Sequence, residues 1–409
     1  MPGNKRKKLI VVLVIAIIAG ITVLMFHESE STETFPPDGP YPVSVKVLDV
    51  EFEGRLMPVM VWYPKPESSA GPYVYNTKIK GAAGYDSPTP GKGAPYPMIV
   101  FSHGIGECGC MSVYYTENLA SHGYVVVAPD HEDSMMCHIK GEPDISFGEL
   151  SVAAVKSLGD LYAIVEILFK DYLEERDFDF SYRPREIKTV IDRALKWNSD
   201  PASFLYGMID PEKIGMTGHS LGGFTSLAIG GLPFHCGGSV DEEKCASANK
   251  GIESVDTCCI ESIAKMEDPL QLSDSRVKAI LPMGPAVFFP ELEKAATELR
   301  VPMMIITGDD KRAEVPWEPV SALYENAPAP KFLIRLKSTD HMTIADFLTT
   351  RGITRPLFAG YRFNFEDKAQ VYKDYSVAFF DLYLKGDDLR SKILSEPSNR
   401  FVELWRKSD

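Results

Sequence analysis

The sequence predicts an α/β fold in which a mostly parallel sheet of eight strands carries helices on both faces. Short apolar runs such as "PMIVF" and "YVVVAP" are typical of strands that are covered on both sides. Helical stretches alternate with these runs along most of the chain, as they do when helices connect parallel strands. A serine between glycines, in "GMTGHSLGG", stands where one such strand ends and a helix begins.

Eight strand-like runs follow one another from residue 44 to residue 337. The first two, in "VSVKVLDVEF" and "LMPVMVWYP", are joined through "EGR" and predict an antiparallel hairpin. The runs cover residues 44–50, 57–63, 97–102, 124–129, 213–218, 277–283, 302–307 and 331–337. No repeat is seen, so we expect one domain over residues 43–409, with a cysteine-rich insertion at about 232–275.

The N-terminus is predicted to be a membrane anchor. Residues 1–8 form a basic tail, and residues 9–26, "LIVVLVIAIIAGITVLMF", contain no charge. Eighteen helical residues reach about 27 Å, close to the thickness of a hydrocarbon core. The acidic residues that follow favour a cytoplasmic tail and an extracytoplasmic body, joined by a linker at 27–42. The alternative is a cleaved signal peptide, although the apolar run is long and no small-x-small site follows it.

Charge and cysteines restrict the partners and the compartment. The formal net charge is −14, which repels polyanions and argues against nucleic acid as a partner. Seven cysteines fall into two groups, at 108–137 and at 236–259. In an oxidising compartment such groups predict disulfides, with one thiol left over by parity. A zinc site formed by Cys108, Cys110, Cys137 and His138 is an alternative, but its spacing matches no common ligand pattern.

Ser220 is the candidate nucleophile. It follows the fifth strand-like run and opens a helix, which is the context of a nucleophile elbow. A tight turn would project the hydroxyl, and the helix N-terminus would favour developing negative charge. The alternative is an ordinary helix N-cap serine.

A serine hydroxyl needs a base, and the base needs a carboxylate to orient it. His341 follows the last predicted strand by a few residues and is the candidate base, whereas His219 is expected to point away from the hydroxyl. Asp310 is the preferred acid after the seventh run, with Asp309 as the alternative. Asp340 is too close to His341 along the chain to orient its ring. The order serine, aspartate, histidine matches that of α/β-hydrolases.

The oxyanion of an acyl-transfer reaction needs two preorganised donors. The third predicted strand ends in "FSHGIG", and the backbone N–H of Ile105 is one candidate donor. The backbone N–H of Leu221, directly after the serine, is the other. A glycine-rich turn without a ligand is the alternative interpretation of this loop.

Several stretches together resemble a known group of α/β-hydrolases. They are "GPYPVSVKVLDVEF", "YPMIVFSHGIG", "RPREIKTVIDRALKWN", "IDPEKIGMTGHSLGG" and "STDHMTIADF", spread over about residues 39–385. The group includes the platelet-activating-factor acetylhydrolases and bacterial dienelactone hydrolase-like proteins, near the cutinase-like polyester hydrolases. The resemblance implies Ser220 as nucleophile, His341 as base, and Ile105 with Leu221 as oxyanion donors.

One departure from the acetylhydrolases concerns the acid. In those enzymes the acid follows the sixth strand, in a stretch similar to "MGPAVFFP", where this chain has Pro285. The position of Asp310, after the seventh strand, is the one seen in cutinase and dienelactone relatives. The departure also weakens the argument for the acetylhydrolases' own substrate.

The expected function is hydrolysis of carboxylic esters through an acyl-enzyme, by a membrane-anchored enzyme with its catalytic domain outside the cytoplasm. The substrate is expected to be a short-chain acyl ester or a lipid resembling an acetyl phospholipid, and no metal or organic cofactor is implied. Dienelactone hydrolase, cutinase-like polyester hydrolase, peptidase and thioesterase are alternative activities of the same residues. A binding module with this fold but no activity is the alternative outside enzymology.

Overall fold

The computed structural model describes most of the chain from residue 32 to residue 407. The described residues are 32–65, 72–85, 93–146, 149, 152–153, 156, 161–236, 240–248, 250–251, 254–309, 317–339, 341–344 and 365–407. Asp310 and Asp340, and the whole of the predicted anchor at 9–26, lie outside these ranges.

Ten strands of the described residues form one sheet, in the order β12-β11-β10-β9-β8-β6-β7-β3-β2-β5, and β1 pairs with β4 separately. The strands are β1 Thr32–Glu33, β2 Val43–Phe52, β3 Arg55–Pro64, β4 Ile79–Lys80, β5 Gly84–Tyr85, β6 Tyr96–Ser102, β7 Val125–Pro129, β8 Ile209–His219, β9 Val277–Met283, β10 Met303–Gly308, β11 Lys331–Leu336 and β12 Val402–Lys407. The five consecutive pairs from β11 to β7 are parallel. The pairs β11–β12, β7–β3 and β3–β2 are antiparallel, and β5 pairs parallel with β2. The carboxyl ends of β6, β8, β9, β10 and β11 therefore meet at one edge.

The predicted fold class is wrong in its strand number, since the sheet has ten strands rather than eight. Each predicted run coincides with a strand, and the two additional strands lie at the ends of the sheet. Gly84–Tyr85 has only two residues, which is too short for a periodic pattern. In Val402–Lys407, "VELWRK", one residue is buried, and its pairing with β11 determines its conformation.

Helices cover both faces of the sheet. They are α1 Val113–Ser121, α2 Leu161–Glu175, α3 Tyr182–Ser199, α4 Leu221–Ile229, α5 Glu242–Cys245, α6 Glu261–Ala264, α7 Leu292–Thr297, α8 Trp317–Asn326 and α9 Phe365–Phe380. Side chains of β6 alternate between two apolar cores: Phe101 packs with α1 and α9, and Val100 packs with α3 and α4. This alternation follows from the two-residue repeat of a strand.

The structure gives no support for the predicted membrane-spanning helix, and that part of the fold prediction is corrected. Residues 9–26 lie outside the described residues. None of the helices within the described ranges is long and apolar enough to cross a bilayer.

Three disulfides confirm the prediction from the cysteine groups. They join Cys108 to Cys137, Cys236 to Cys258 and Cys245 to Cys259. The seventh cysteine, Cys110, lies with its Sγ 3.7 Å from the Sγ of Cys108. Because Cys108 and Cys137 are bonded to each other, the zinc alternative loses two of its four proposed ligands.

Candidate active site

Ser220 occupies a strained turn between β8 and α4. Its φ of 54° and ψ of −115° lie in a region that residues with a Cβ adopt rarely. A side chain at Gly218 would collide with the Gly222 backbone, and one at Gly222 would collide with the carbonyl of Ser102. Glycine is therefore required at positions 218 and 222, because the turn leaves no room for a Cβ at either position.

The backbone of Ser220 is held by four hydrogen bonds. Its N–H donates to the Met283 carbonyl (2.9 Å), and its carbonyl accepts from the N–H groups of Gly223 (2.8 Å), Phe224 (3.1 Å) and Ala286 (3.0 Å). Leu221 follows as the first residue of α4, so its N–H has no carbonyl one turn earlier within the helix. The turn thus combines a partly exposed serine with an available backbone donor.

His341 lies beside this turn. It begins a short 3₁₀ helix, His341–Ile344, that follows β11. The centroids of the His341 and His219 rings are 4.4 Å apart. Within the described part of the chain, no hydrogen bond joins the Ser220 hydroxyl to the His341 ring. Burial, with a further contribution from His219, holds the pKa of His341 well below its usual value, so the ring is neutral and can accept a proton.

Of the two candidate acids, only Asp309 lies within the described residues. Asp310 lies outside the described residues. Asp309 follows β10, and its N–H donates to the Thr339 carbonyl (3.1 Å) while its carboxylate accepts a long hydrogen bond from the Thr339 N–H (3.4 Å). Asp309 is thus joined to the backbone two residues before His341. After β9, Pro285 lies where a side chain at Gly223 would collide with it, and it offers no carboxylate.

Ile105 lies in the loop after β6, and this loop of residues 103–106 is here called the oxyanion loop. The N–H groups of Gly104 and Gly106 donate to the carboxylates of Glu107 (2.7 Å) and Asp133 (3.0 Å). The N–H of Ile105 donates to no residue that the structure describes. Gly106 has a φ of 71°, and a side chain there would collide with the ring of Phe169.

The chain is similar in sequence to known acetylhydrolases. The family model described as "Platelet-activating factor acetylhydrolase, isoform II" matches residues 74–141, which include the oxyanion loop. The platelet-activating factor acetylhydrolase of Canis lupus familiaris is 31% identical over 165 residues, 36% of this chain and 35% of that protein. The acetylhydrolase of Cavia porcellus is 28% identical over 173 residues, 40% of this chain and 38% of its own length. The chain thus matches little more than a third of these relatives' length.

A solved structure extends the comparison to the whole fold. The ferulic acid esterase from Streptomyces cinnamoneus superposes with a TM-score of 0.58 at 19% identity, covering 92% of this chain and 100% of that one. The chain has an α/β-hydrolase fold and is similar to the platelet-activating factor acetylhydrolases. The resemblance inferred from the sequence is confirmed.

A buried carboxylate–histidine pair that sequence reasoning missed lies beneath the candidate site. The Nδ1 of His219 is 3.3 Å from Glu107 Oε2, and its Nε2 is 2.8 Å from the carbonyl oxygen of His341. Burial alone would raise the pKa of Glu107, but His219 outweighs it and the pKa is lowered. Since a carbonyl only accepts, the Nε2 of His219 donates to the His341 carbonyl.

The prediction that His219 points away from the hydroxyl omitted this role, because the partners of His219 are distant in sequence. Glu107 itself offered one signal. A carboxylate within the apolar, glycine-rich stretch "HGIGECG" is costly to bury unless it is paired.

A separate serine–histidine–carboxylate array is formed by Ser102, His131 and Glu186. Ser102 Oγ is 2.7 Å from His131 Nε2, and His131 Nδ1 is 2.6 Å from Glu186 Oε2. All three side chains are buried, with at most 1% of any residue exposed. Burial raises the pKa of Glu186 to about 8 and lowers that of His131. Because no substrate carbonyl can reach Ser102, this array supports the strand ends and is not a candidate catalytic site.

Proposed function

We propose that the chain is a serine hydrolase that cleaves carboxylic esters through an acyl-enzyme. The observation that carries the proposal is the strained conformation of Ser220 at a strand-to-helix turn. Such strain persists where the surrounding structure enforces it, and it clusters at functional sites. Two other features support the proposal. The His341 ring lies close to that of His219, and the N–H groups of Ile105 and Leu221 are available as donors.

The proposed reaction has two halves. Ser220 Oγ attacks the acyl carbon while His341 removes the hydroxyl proton, and the carbonyl oxygen develops a negative charge between the N–H groups of Ile105 and Leu221. His341 then returns the proton to the leaving alcohol. Water attacks the acyl-enzyme by the same route and releases the acid and free Ser220. Asp310 is the proposed acid that orients His341, with Asp309 as the alternative.

A short-chain acyl ester, with an acetyl phospholipid as its lipid form, is the proposed substrate class. The family-model match and the acetylhydrolase relatives support this choice. The proposed position of the acid, after β10, favours an activity of the dienelactone hydrolase or cutinase type as the alternative. Turnover of a series of p-nitrophenyl esters from acetate upward, beside an acetyl phospholipid and a polyester film, separates these alternatives.

The test of the reaction itself compares Ser220→Ala with Ser226→Ala, a serine in the next turn of α4 whose hydroxyl donates to the Gly222 carbonyl. Ser220→Ala should abolish p-nitrophenyl acetate turnover and labelling by a fluorophosphonate probe, and Ser226→Ala should retain both. Equal turnover by wild type and Ser220→Ala would contradict the proposal. A wild-type protein that neither reacts with the probe nor hydrolyses any ester would favour the binding module.

A further inference from the structure

A buried ion pair lies behind the oxyanion loop. Arg183, in the first turn of α3, and Asp133, in the loop after β7, are both fully buried. Arg183 Nε donates to Asp133 Oδ1 (3.0 Å) and Arg183 Nη2 to Asp133 Oδ2 (2.5 Å). Burial opposes the charge on Arg183, but the Asp133 carboxylate outweighs it and raises the Arg183 pKa. The guanidinium is therefore a permanent, rigidly held fork of donors.

The remaining donors of Arg183 bind the backbone of the oxyanion loop. Nη1 donates to the carbonyl of His103 (2.5 Å) and Nη2 to the carbonyl of Gly104 (3.0 Å). Asp133 completes the contact, since its Oδ2 accepts from the N–H of Gly106 (3.0 Å). One ion pair thus holds three backbone groups within four consecutive residues.

The orientation of these carbonyls determines the direction of the N–H groups that follow them. In a trans peptide the C=O of one residue and the N–H of the next point in opposite directions, and the only cis bonds within the described residues are Ala94–Pro95 and Ala329–Pro330. The His103 carbonyl points to Arg183, and the next N–H, that of Gly104, points away to Glu107. The Gly104 carbonyl also points to Arg183, so the N–H of Ile105 must point away from the guanidinium.

From this geometry we infer that Arg183 is a positioning residue, which directs the N–H of Ile105 at the substrate's carbonyl oxygen by holding the Gly104 carbonyl from behind. The inference rests on the proposed function and adds a residue to it. Arg183 touches neither substrate nor reacting atoms. Lysine at this position would carry the same charge, but its single nitrogen lacks the planar fork that reaches Asp133 and two carbonyls together.

The test measures Arg183→Lys with p-nitrophenyl acetate and with its thionoester, in which sulfur replaces the carbonyl oxygen. Sulfur accepts hydrogen bonds poorly, so a well-placed donor makes the wild type strongly prefer the oxygen ester. In Arg183→Lys, kcat should fall by about 10- to 100-fold, less than the roughly 100- to 1000-fold for complete loss of an oxyanion donor, with little change in KM. The ratio of ester to thionoester turnover should also fall, which a general loss of folded protein would not cause.

Asp133→Asn is the second variant, because Arg183→Lys removes a buried group and can reduce folding. It should lower kcat and the ester-to-thionoester ratio in the same direction, by a smaller factor. Arg276→Lys is the matched control: Arg276 pairs with Asp274 and Asp192 away from the loop, so both readouts should stay at the wild-type value. Thermal melting reports the folded fraction of each variant.

The outcomes separate this inference from the proposed function. If Ser220→Ala is inactive and folded Arg183→Lys keeps wild-type kcat, the role of Arg183 is refuted and the esterase stands. A lower kcat with an unchanged ester-to-thionoester ratio also refutes it, because the Ile105 donor would then be in place. If Arg183→Lys does not fold, the ratio in Asp133→Asn decides in the same way. Full activity in Ser220→Ala refutes the proposed function instead.

Discussion

The ring of His219 donates a 2.8 Å hydrogen bond from Nε2 to the backbone carbonyl of His341. On its other side the same ring pairs with Glu107, whose carboxylate also accepts from the N–H of Gly104. A single buried pair therefore connects the oxyanion loop, the turn at Ser220 and the segment that carries the predicted base. These three segments lie more than 100 residues apart in sequence at each step.

Removing the His219 ring should change the pH dependence of turnover. In His219→Gln, the ring that contributes to lowering the His341 pKa is absent. The His341 pKa should rise, and the acid limb of the kcat/KM profile should move to higher pH. Asp38→Asn, which breaks the carboxylate–histidine pair with His122, is the control and should leave the limb in place. A His219→Gln profile that superposes on the wild type would contradict this role.

The identity of the acid can be decided by two amide substitutions. An amide cannot stabilise the imidazolium that forms on the base. Replacing the aspartate that orients the base should therefore lower kcat by at least about a hundredfold. We expect Asp310→Asn to have this effect. Asp309→Asn should have a small one, because its carboxylate bonds to the Thr339 backbone, which the amide oxygen can still do. The reverse pattern in p-nitrophenyl acetate kinetics would assign the acid to Asp309.

Backbone strain at Ser220 should be measurable as a difference in the free energy of unfolding between two variants. Glycine adopts positive φ without the penalty that a Cβ brings, so Ser220→Gly should relieve strain of order 1–3 kcal/mol. Part of that gain is lost to the larger entropy of unfolded glycine. Ser220→Ala keeps the Cβ and serves as the comparison, and both variants lack the hydroxyl. Chemical denaturation should show Ser220→Gly to be more stable than Ser220→Ala by about 1 kcal/mol, and equal stabilities would argue against strain.

Stability should also depend on pH through His103. Burial, assisted by Arg183, lowers the pKa of His103 to about 4, and its neutral Nε2 accepts from the His131 N–H (3.0 Å). A histidine with a depressed folded-state pKa contributes stability above its unfolded value of about 6.5. That contribution is lost as the pH falls from about 6.5 to about 4, at up to roughly 1.4 kcal/mol per pH unit.

The measurement is the free energy of unfolding across this range in wild type and His103→Gln. Glutamine does not titrate, so the free energy of unfolding should depend less steeply on pH between 6.5 and 4 in the variant. The difference in slope should correspond to about one bound proton per molecule. His138→Gln, at a more exposed histidine, is the control and should keep the wild-type slope. Equal slopes in all three proteins would show that His103 does not contribute.

The parts of the fold that follow from local pattern were predictable, and those that depend on pairing were not. All eight runs predicted as strands are strands, because apolar runs bounded by turns are a local signal. Val402–Lys407 was missed because hydrogen bonds to Lys331–Leu336, rather than its own side chains, make it a strand.

For the site, the sequence by itself determined which residue types stand at strand ends: Ser220 between two glycines, His341 after β11 and the glycines around Ile105. Steric demands act over a few residues there, so they leave a mark in the sequence. Only the tertiary structure decided that Glu107 meets His219, that Arg183 holds the backbone of residues 103 and 104, and that Ser102 is buried. Buried ion pairs form between groups that distant segments bring together, and no local spacing encodes which carboxylate a buried cation will meet.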